Sequence, residues 1–142
     1  MTLSGELLSA YQQAEYCVPL AHRELVICIG RVGQGLNELL AAHDVASAAF
    51  ITAANPGSQR LTAAQNSIRH RALLADVRAT SLTYIEGEGR DPQGAWPAET
   101  SLLVLGLNQS EATRLASAYQ QNAFVYLQWQ LAPQLIVIPP QD

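Results

Sequence analysis

The stretch from Ala48 to Glu86, AAFITAANPGSQRLTAAQNSIRHRALLADVRATSLTYIE, decides the fold. Ala48 to Ala53, centred on Phe50 and Ile51, is short and apolar, the pattern of a buried strand. Asn55-Pro56-Gly57 breaks it, because the residue before a proline leaves the helical region and glycine accepts dihedrals that other residues avoid. Thr62 followed by Gln65 is a capping box that opens a long helix to about Ala79, rich in the helix formers Ala, Leu and Arg. Leu82, Tyr84 and Glu86 then alternate with Thr83 and Ile85, giving a strand expected to stop in Gly87-Glu88-Gly89. A right-handed crossover through the helix makes the two strands parallel, with their C-terminal ends on one rim.

Working outward, Leu3, Leu7, Leu8 and Tyr11 lie at helical spacing and predict a short opening helix, a lid or cap. Tyr16 to Leu20 and Leu25 to Gly30 form a hairpin about the polar stretch Ala21 to Glu24. Gly30, Gly33 and Gly35 lead into a brief helix carrying Leu36, Leu39 and Leu40, which ends near His43 and Asp44. Downstream, Arg90 to Pro97 is a loop holding Trp96, and Leu102 to Leu107 is a continuously apolar strand of the kind covered on both faces. Asn108 with Glu111 caps a helix whose Ala112, Leu115, Ala116 and Tyr119 follow amphipathic spacing. Ala123 to Trp129 and Leu135 to Ile138 close the chain as strands around Ala132-Pro133. The order αββαβαββαββ predicts one α/β domain over residues 1–142, α+β-like, with a mixed β-sheet packed with helices and the strand order open. The long helix carries two apolar faces. One holds Leu73, Leu74 and Val77; the other holds Ala64, Ile68, Ala72, Ala75 and Ala79, and is either sandwiched within the chain or a homodimer contact.

Length and composition support one domain: 142 residues, 49% hydrophobic and 14% charged, fill a single core and argue against disorder. The net charge is -4 and the eight basic residues are scattered between Arg23 and Arg114, so no nucleic-acid partner is expected. All eight are arginines. Without lysine, Schiff-base chemistry and the lysine-dependent phosphate sites of P-loop proteins and kinases are excluded. The N-terminal segment lacks a basic region and an uninterrupted apolar core, so no secretory signal is expected. No segment approaches the roughly 20 apolar residues of a membrane span. A cytoplasmic location follows as an expectation, with Cys17 and Cys28 as buried thiols, although their neighbouring strands make a cross-strand pair geometrically conceivable.

Topology brings polar residues to the rim. Asn55 and Glu86 end the parallel strands, the returning loop adds Trp96, Glu99 and Ser101, the next helix delivers Gln121 and Asn122, and the long helix contributes its N-terminus and Asn66. Asn66 lies on the leucine face with His70 and Leu73, so its amide is expected to point at the sheet. Glu99, beside Trp96 and Pro97, is expected to feel desolvation and a raised pKa. These residues form either a ligand pocket at the strand ends or a network that satisfies loop and helix-end backbone groups.

The run Phe50 to Pro56, then Asn66, then Trp96-Pro97-Ala98-Glu99-Thr100-Ser101, then Gln121-Asn122-Ala123-Phe124, resembles a small bacterial family named domain of unknown function 3293. The resemblance covers the chain from about Phe50 to Tyr126 and is weaker in the strands before. It implies a cytosolic bacterial protein with no assigned activity, and it marks Asn55, Asn66, Glu99 and Gln121 without giving them catalytic roles. The family pattern often carries an aromatic residue where Ala54 stands here.

Other signals carry less. Gly30-Arg31-Val32-Gly33-Gln34-Gly35 has the wrong glycine spacing for dinucleotide binding, and no acid follows about 20 residues on. His22, His43, His70 and the two cysteines lack zinc-ligand spacing, so no metal is expected, and no cofactor. Glu86, Glu88, Asp91 and Glu99 are oxygen donors that fit either a cation site or a solvated loop, with the loop favoured by its glycines. Ser101 lacks nucleophile-elbow glycines and a histidine base. The leading expectation is a binding or regulatory module that holds a polar small molecule or peptide end among Asn55, Asn66, Trp96, Glu99, Ser101 and Gln121, with Arg60 and the helix N-terminus drawing an anionic group. The alternatives are a small hydrolase-like enzyme using Glu99 as general base and a helix-mediated interaction module.

Overall fold

The computed structural model describes residues 4–139. Along the chain it forms α1 (Gly5–Gln13), β1 (Glu15–Pro19), β2 (Glu24–Ile27), α2 (Gln34–Ala42), β3 (Ser47–Thr52), α3 (Ala63–Ala79), β4 (Tyr84–Arg90), β5 (Glu99–Leu105), α4 (Gln109–Ala118), β6 (Ala123–Gln128) and β7 (Gln134–Val137). This is the order expected from the sequence. Leu3, part of the opening helical pattern, lies outside the described residues, and α1 starts from Ser4, whose hydroxyl accepts from the Leu7 amide. Both capping boxes form: Thr62 accepts from the Gln65 amide at 3.1 Å and Asn108 from that of Glu111 at 2.8 Å, each acid or amide at N3 reaching back to the cap.

The seven strands make one sheet in the order β2-β1-β4-β5-β3-β6-β7. Every neighbouring pair is antiparallel, which corrects the expected mixed sheet. The 91–98 loop turns β5 back beside β4 and into the space next to β3, so β5 separates the two strands that the crossover joins. Because β3 and β4 are each antiparallel to β5, they share one direction, and their C-terminal ends do lie on one rim. The fold is α+β.

Two apolar layers flank the sheet. On one face Leu73 and Val77 of α3 and Ala112 and Ala116 of α4 pack on Ile51, Leu102 and Val104. On the other, α2 places Leu36, Leu39 and Leu40 against residues of both halves of the sheet, from Val18 and Ile27 to Val125 and Leu127. One cluster reaches both halves because the sheet curls toward it, and the Gly30 amide, beyond β2, donates to the Pro133 carbonyl, ahead of β7. The alanine face of α3 is left open by the chain: Ala64, Ala72, Ala75 and Ala79 are exposed, and Ile68 is 61% exposed.

β4 does not stop in its glycines but runs through them to Arg90. Gly87 serves close approach, since a Cβ there would run into the Cys17 carbonyl of β1. Glu86 is therefore mid-strand, opposite Leu102, and is corrected from its expected place on the rim. Cys17 pairs in register with Val26, and Cys17 and Cys28 are both free; Cys17 is buried, Cys28 half-buried. No helix among the described residues is long and apolar enough to cross a membrane.

Candidate functional site

The curl encloses a cavity of about 230 Å³ at the rim end of the concave face. Its origin is residue size. Strand residues that point into the concave face alternate, and away from the rim they are Leu103 and Leu105 of β5, Phe50 of β3, Ile85 of β4 and Leu127 of β6. Toward the rim the same rows give Glu99 and Ser101, Thr52, Gly89 and Ala123, all lining the hollow. Large side chains fill one half of the curl and small or polar ones leave the other half empty. From α1, Leu7, Ala10 and Tyr11 close the open side, the covering role expected for the opening helix.

Asn55 organises the polar edge. It sits in the left-handed region at φ 50°, ψ 64°, a conformation that asparagine tolerates better than most residues. All its local groups are engaged. Its backbone amide donates to Asn66 Oδ1 at 2.9 Å, its Oδ1 accepts from Asn66 Nδ2 at 2.9 Å and from the Leu61 amide at 2.9 Å, and its Nδ2 donates to Glu99 Oε2 at 2.7 Å. The loop that precedes α3 is thereby tied to the first residue of β5. Gln121 is buried and donates from Nε2 to the Ala54 carbonyl at 3.0 Å and the Tyr119 carbonyl at 3.2 Å, fixing the entry to β6.

Glu99 is the carboxyl at the centre of this edge. Burial pushes its pKa above the ordinary carboxylate range, and the hydrogen bond from Asn55 only partly offsets that. Its other oxygen, Oε1, receives no protein donor among the described residues, and no arginine or histidine lies in ion-pair contact with it. Ser101 is fully buried and spends its proton on the Glu99 carbonyl at 2.9 Å, which leaves it poorly placed as a nucleophile. Aromatic rings make up much of the wall. Tyr16 meets Phe50 edge-on with centroids 5.3 Å apart and donates its hydroxyl to the Tyr11 carbonyl at 2.6 Å. Desolvation raises the pKa of both tyrosines, so they remain protonated. At the mouth, Ser58 Oγ accepts from Asn122 Nδ2 at 2.8 Å and shares a hydrogen bond with the Tyr11 hydroxyl at 3.3 Å.

Of the residues singled out from the sequence, Asn55, Trp96, Glu99, Ser101 and Gln121 line one cavity, as does Arg60. Asn66 stands behind Asn55 and acts through it. The four acidic candidates for a cation site disperse: Glu86 meets His70 at 2.9 Å on the opposite face, Glu88 pairs with Arg90 at 2.6 Å, and Asp91 accepts from the Gln93 and Ala95 amides of its own loop. Among the described residues no three His, Cys, Asp or Glu side chains gather as a metal site. Sequence reasoning missed Tyr16 and Phe50 as wall residues and assigned Tyr11 only to the helix. The alternation of Tyr16 with Val18 and the Leu7, Ala10, Tyr11 stripe were the signals available.

Fold and site together describe an α+β domain with a small, partly aromatic hollow and one half-buried carboxyl within a curled antiparallel sheet. The chain belongs to the family described as protein of unknown function (DUF3293), whose pattern matches residues 51–124. That segment includes the whole Asn55, Asn66, Trp96, Glu99, Ser101 and Gln121 set and leaves α1 and β1, with Tyr11 and Tyr16, outside it. No curated protein and no solved structure matches the chain.

Proposed function

We propose that this protein is a binding module whose concave cavity takes a small polar ligand, with Glu99 as the anchoring acceptor. One observation carries this reading: a half-buried carboxyl faces a hollow with one oxygen bound by Asn55 and the other without a protein donor among the described residues. The free oxygen opens onto the hollow, so a ligand's donor can reach it without displacing a protein partner. The volume, below the roughly 300–1,000 Å³ of drug-sized pockets, fits a metabolite of few atoms. Two free thiols, Cys17 on β1 and Cys28 just past β2, agree with a reducing, cytoplasmic setting.

The test is chemical-shift mapping with a library of small ring-bearing hydrogen-bond donors. Binders should move the Trp96 indole and the Ser101 and Gln121 signals, and Glu99→Gln should weaken them about 10-fold or more, the worth of a charge-assisted hydrogen bond. A full library that leaves those signals in place overturns the proposal. A second reading, Glu99 as the general base of a small enzyme, draws on its raised pKa, which moves a carboxylate toward the operating range of a base. Turnover of a bound compound that disappears in Glu99→Gln while binding persists would select it.

A further inference from the structure

Glu99 and Arg60 are the only charged side chains that line the cavity among the described residues. Among the described residues they do not pair with each other, and neither belongs to any of the four ion pairs found there. Arg60 makes no side-chain hydrogen bond among the described residues, in contrast to Arg69 and Arg90, whose guanidinium groups are spent on carbonyls and carboxylates. It follows the Asn55 turn and is exposed, so it edges the cavity from the solvent side, while Glu99 stands inside on β5. The rest of the lining is uncharged: polar groups such as Asn55 and Gln121 stand at the rim, their side chains already hydrogen-bonded within the fold, and Leu7, Tyr16, Phe50 and Phe124 supply apolar and aromatic wall.

From this arrangement we infer that the ligand is a zwitterion with an apolar body, a single free α-amino acid with an aromatic or branched side chain. Its ammonium meets the unpartnered oxygen of Glu99, its carboxylate meets the guanidinium of Arg60, and its side chain lies among the rings. An ammonium has three donors and no acceptor, which suits a carboxylate that already holds one amide donor. A guanidinium offers the planar fork that matches a carboxylate. The cavity's small volume favours one residue over a peptide. An ammonium against Glu99 also reverses the cause of its raised pKa, so ligand binding and deprotonation of Glu99 reinforce each other. The other titratable groups of the cavity are Tyr11 and Tyr16, both neutral, and Arg60, which stays charged, so the coupling lies with Glu99.

The inference rests on the reading of the cavity as a ligand site, and three probes separate the two. Phenylalanine, phenethylamine and 3-phenylpropanoate share one ring and differ in which charge they carry. Titrated calorimetrically against the full chain, phenylalanine should bind about tenfold or more tighter than either partner compound, each lost charge-assisted bond being worth about that factor. Arg60→Gln should close the gap between phenylalanine and phenethylamine, and Glu99→Gln the gap between phenylalanine and 3-phenylpropanoate. Phenylalanine amide, which keeps the ammonium and mimics a peptide N-terminus, should bind like the amine. Equal affinity for phenylalanine and phenethylamine overturns the zwitterion while the ligand site stands, and tightest binding by 3-phenylpropanoate overturns the role of Glu99. If none of the set binds but the ring-bearing donors above still move Trp96, the inference fails alone; if neither binds, the site fails with it. Arg60 is exposed and makes no bond in the fold, so its variant reports on binding without a folding defect.

Discussion

The two faces of the sheet use the same alternating strands and end differently. On the convex face α3 and α4 seal Ile51, Leu102 and Val104 under Leu73, Val77, Ala112 and Ala116. Several polar groups there are paired: Arg69 donates to the Ala53 and Tyr119 carbonyls and lies 5.9 Å over the Tyr119 ring, while Tyr119 donates to Asp76. One atom, His70 Nδ1, is buried without a partner, its other ring nitrogen meeting Glu86. On the concave face the rows run out of large side chains before they reach the rim, and Glu99 is left with an oxygen free and space beside it. The contrast teaches that this hollow is written into residue sizes at alternate strand positions and does not come from a missing helix.

The sharpest way to break the contrast is to hollow out the sealed face. Leu73 is fully buried between α3 and the sheet. Leu73→Ala should lower the unfolding free energy by about 2–5 kcal/mol, the range for a leucine deleted from a packed core. Chemical denaturation checks it, and a loss below about 1 kcal/mol would mean that the convex layer is as loosely filled as the concave one. Next in size is Gly87→Ala, whose new methyl meets the backbone of Cys17 and the Phe50 ring. The β1 and β4 pair must part to admit it, and a loss of about 1–3 kcal/mol is expected in the same assay.

How far these features were legible follows from the same contrast. Helix starts, strand identities and the shared rim came from capping boxes, apolar runs and the crossover, all of them local or nearly local signals. The convergence of Asn55, Glu99 and Gln121 on one rim followed from strand direction alone. The true start of β5 did not, because Glu99, Thr100 and Ser101 break the apolar run that identified the strand at Leu102. A strand that turns polar where it lines a cavity looks the same as a loop leading into a strand. Gly87 and Gly89 misled in the same way: they read as a turn, while both lie within β4 and Gly87 lets β1 and the Phe50 ring come close. Tyr16 and the Tyr11 edge depend on which strand neighbours which, and the insertion of β5 between β3 and β4 has no local signature.

On the open face the expected effects are smaller and of opposite sign. Glu99 holds its proton more tightly folded than unfolded, so the native state binds more protons between the two pKa values. Its contribution to stability is complete below the ordinary carboxylate pKa and is lost as pH rises through the elevated one. At neutral pH the ionised group therefore weighs against folding. Glu99→Gln keeps an acceptor for Asn55 and removes the charge, so it should gain about 0.5–2 kcal/mol at pH 7 and flatten the acid-to-neutral fall in stability. A loss of more than about 2 kcal/mol at pH 7 would instead make the carboxylate a structural tie for the Trp96 loop.

The smallest effect sharpens the comparison most, because it sets two glycines of one strand against each other. Gly87 and Gly89 both belong to the inward row of β4, yet a Cβ on Gly89 meets only the Tyr16 ring, at 3.8 Å, an ordinary van der Waals contact. Its backbone is not in the left-handed region that demands glycine. Gly89→Ala should therefore gain about 0.4–1 kcal/mol by restricting the unfolded chain, where Gly87→Ala loses stability. The same methyl enters the cavity beside Glu99, so ligand affinity should fall while stability rises. Opposite signs at two positions two residues apart would locate the boundary between the filled and the empty half of the curl within one strand. If both substitutions destabilise alike, the hollow is already closed around Gly89 and the proposed ligand would have to enter further toward Trp96.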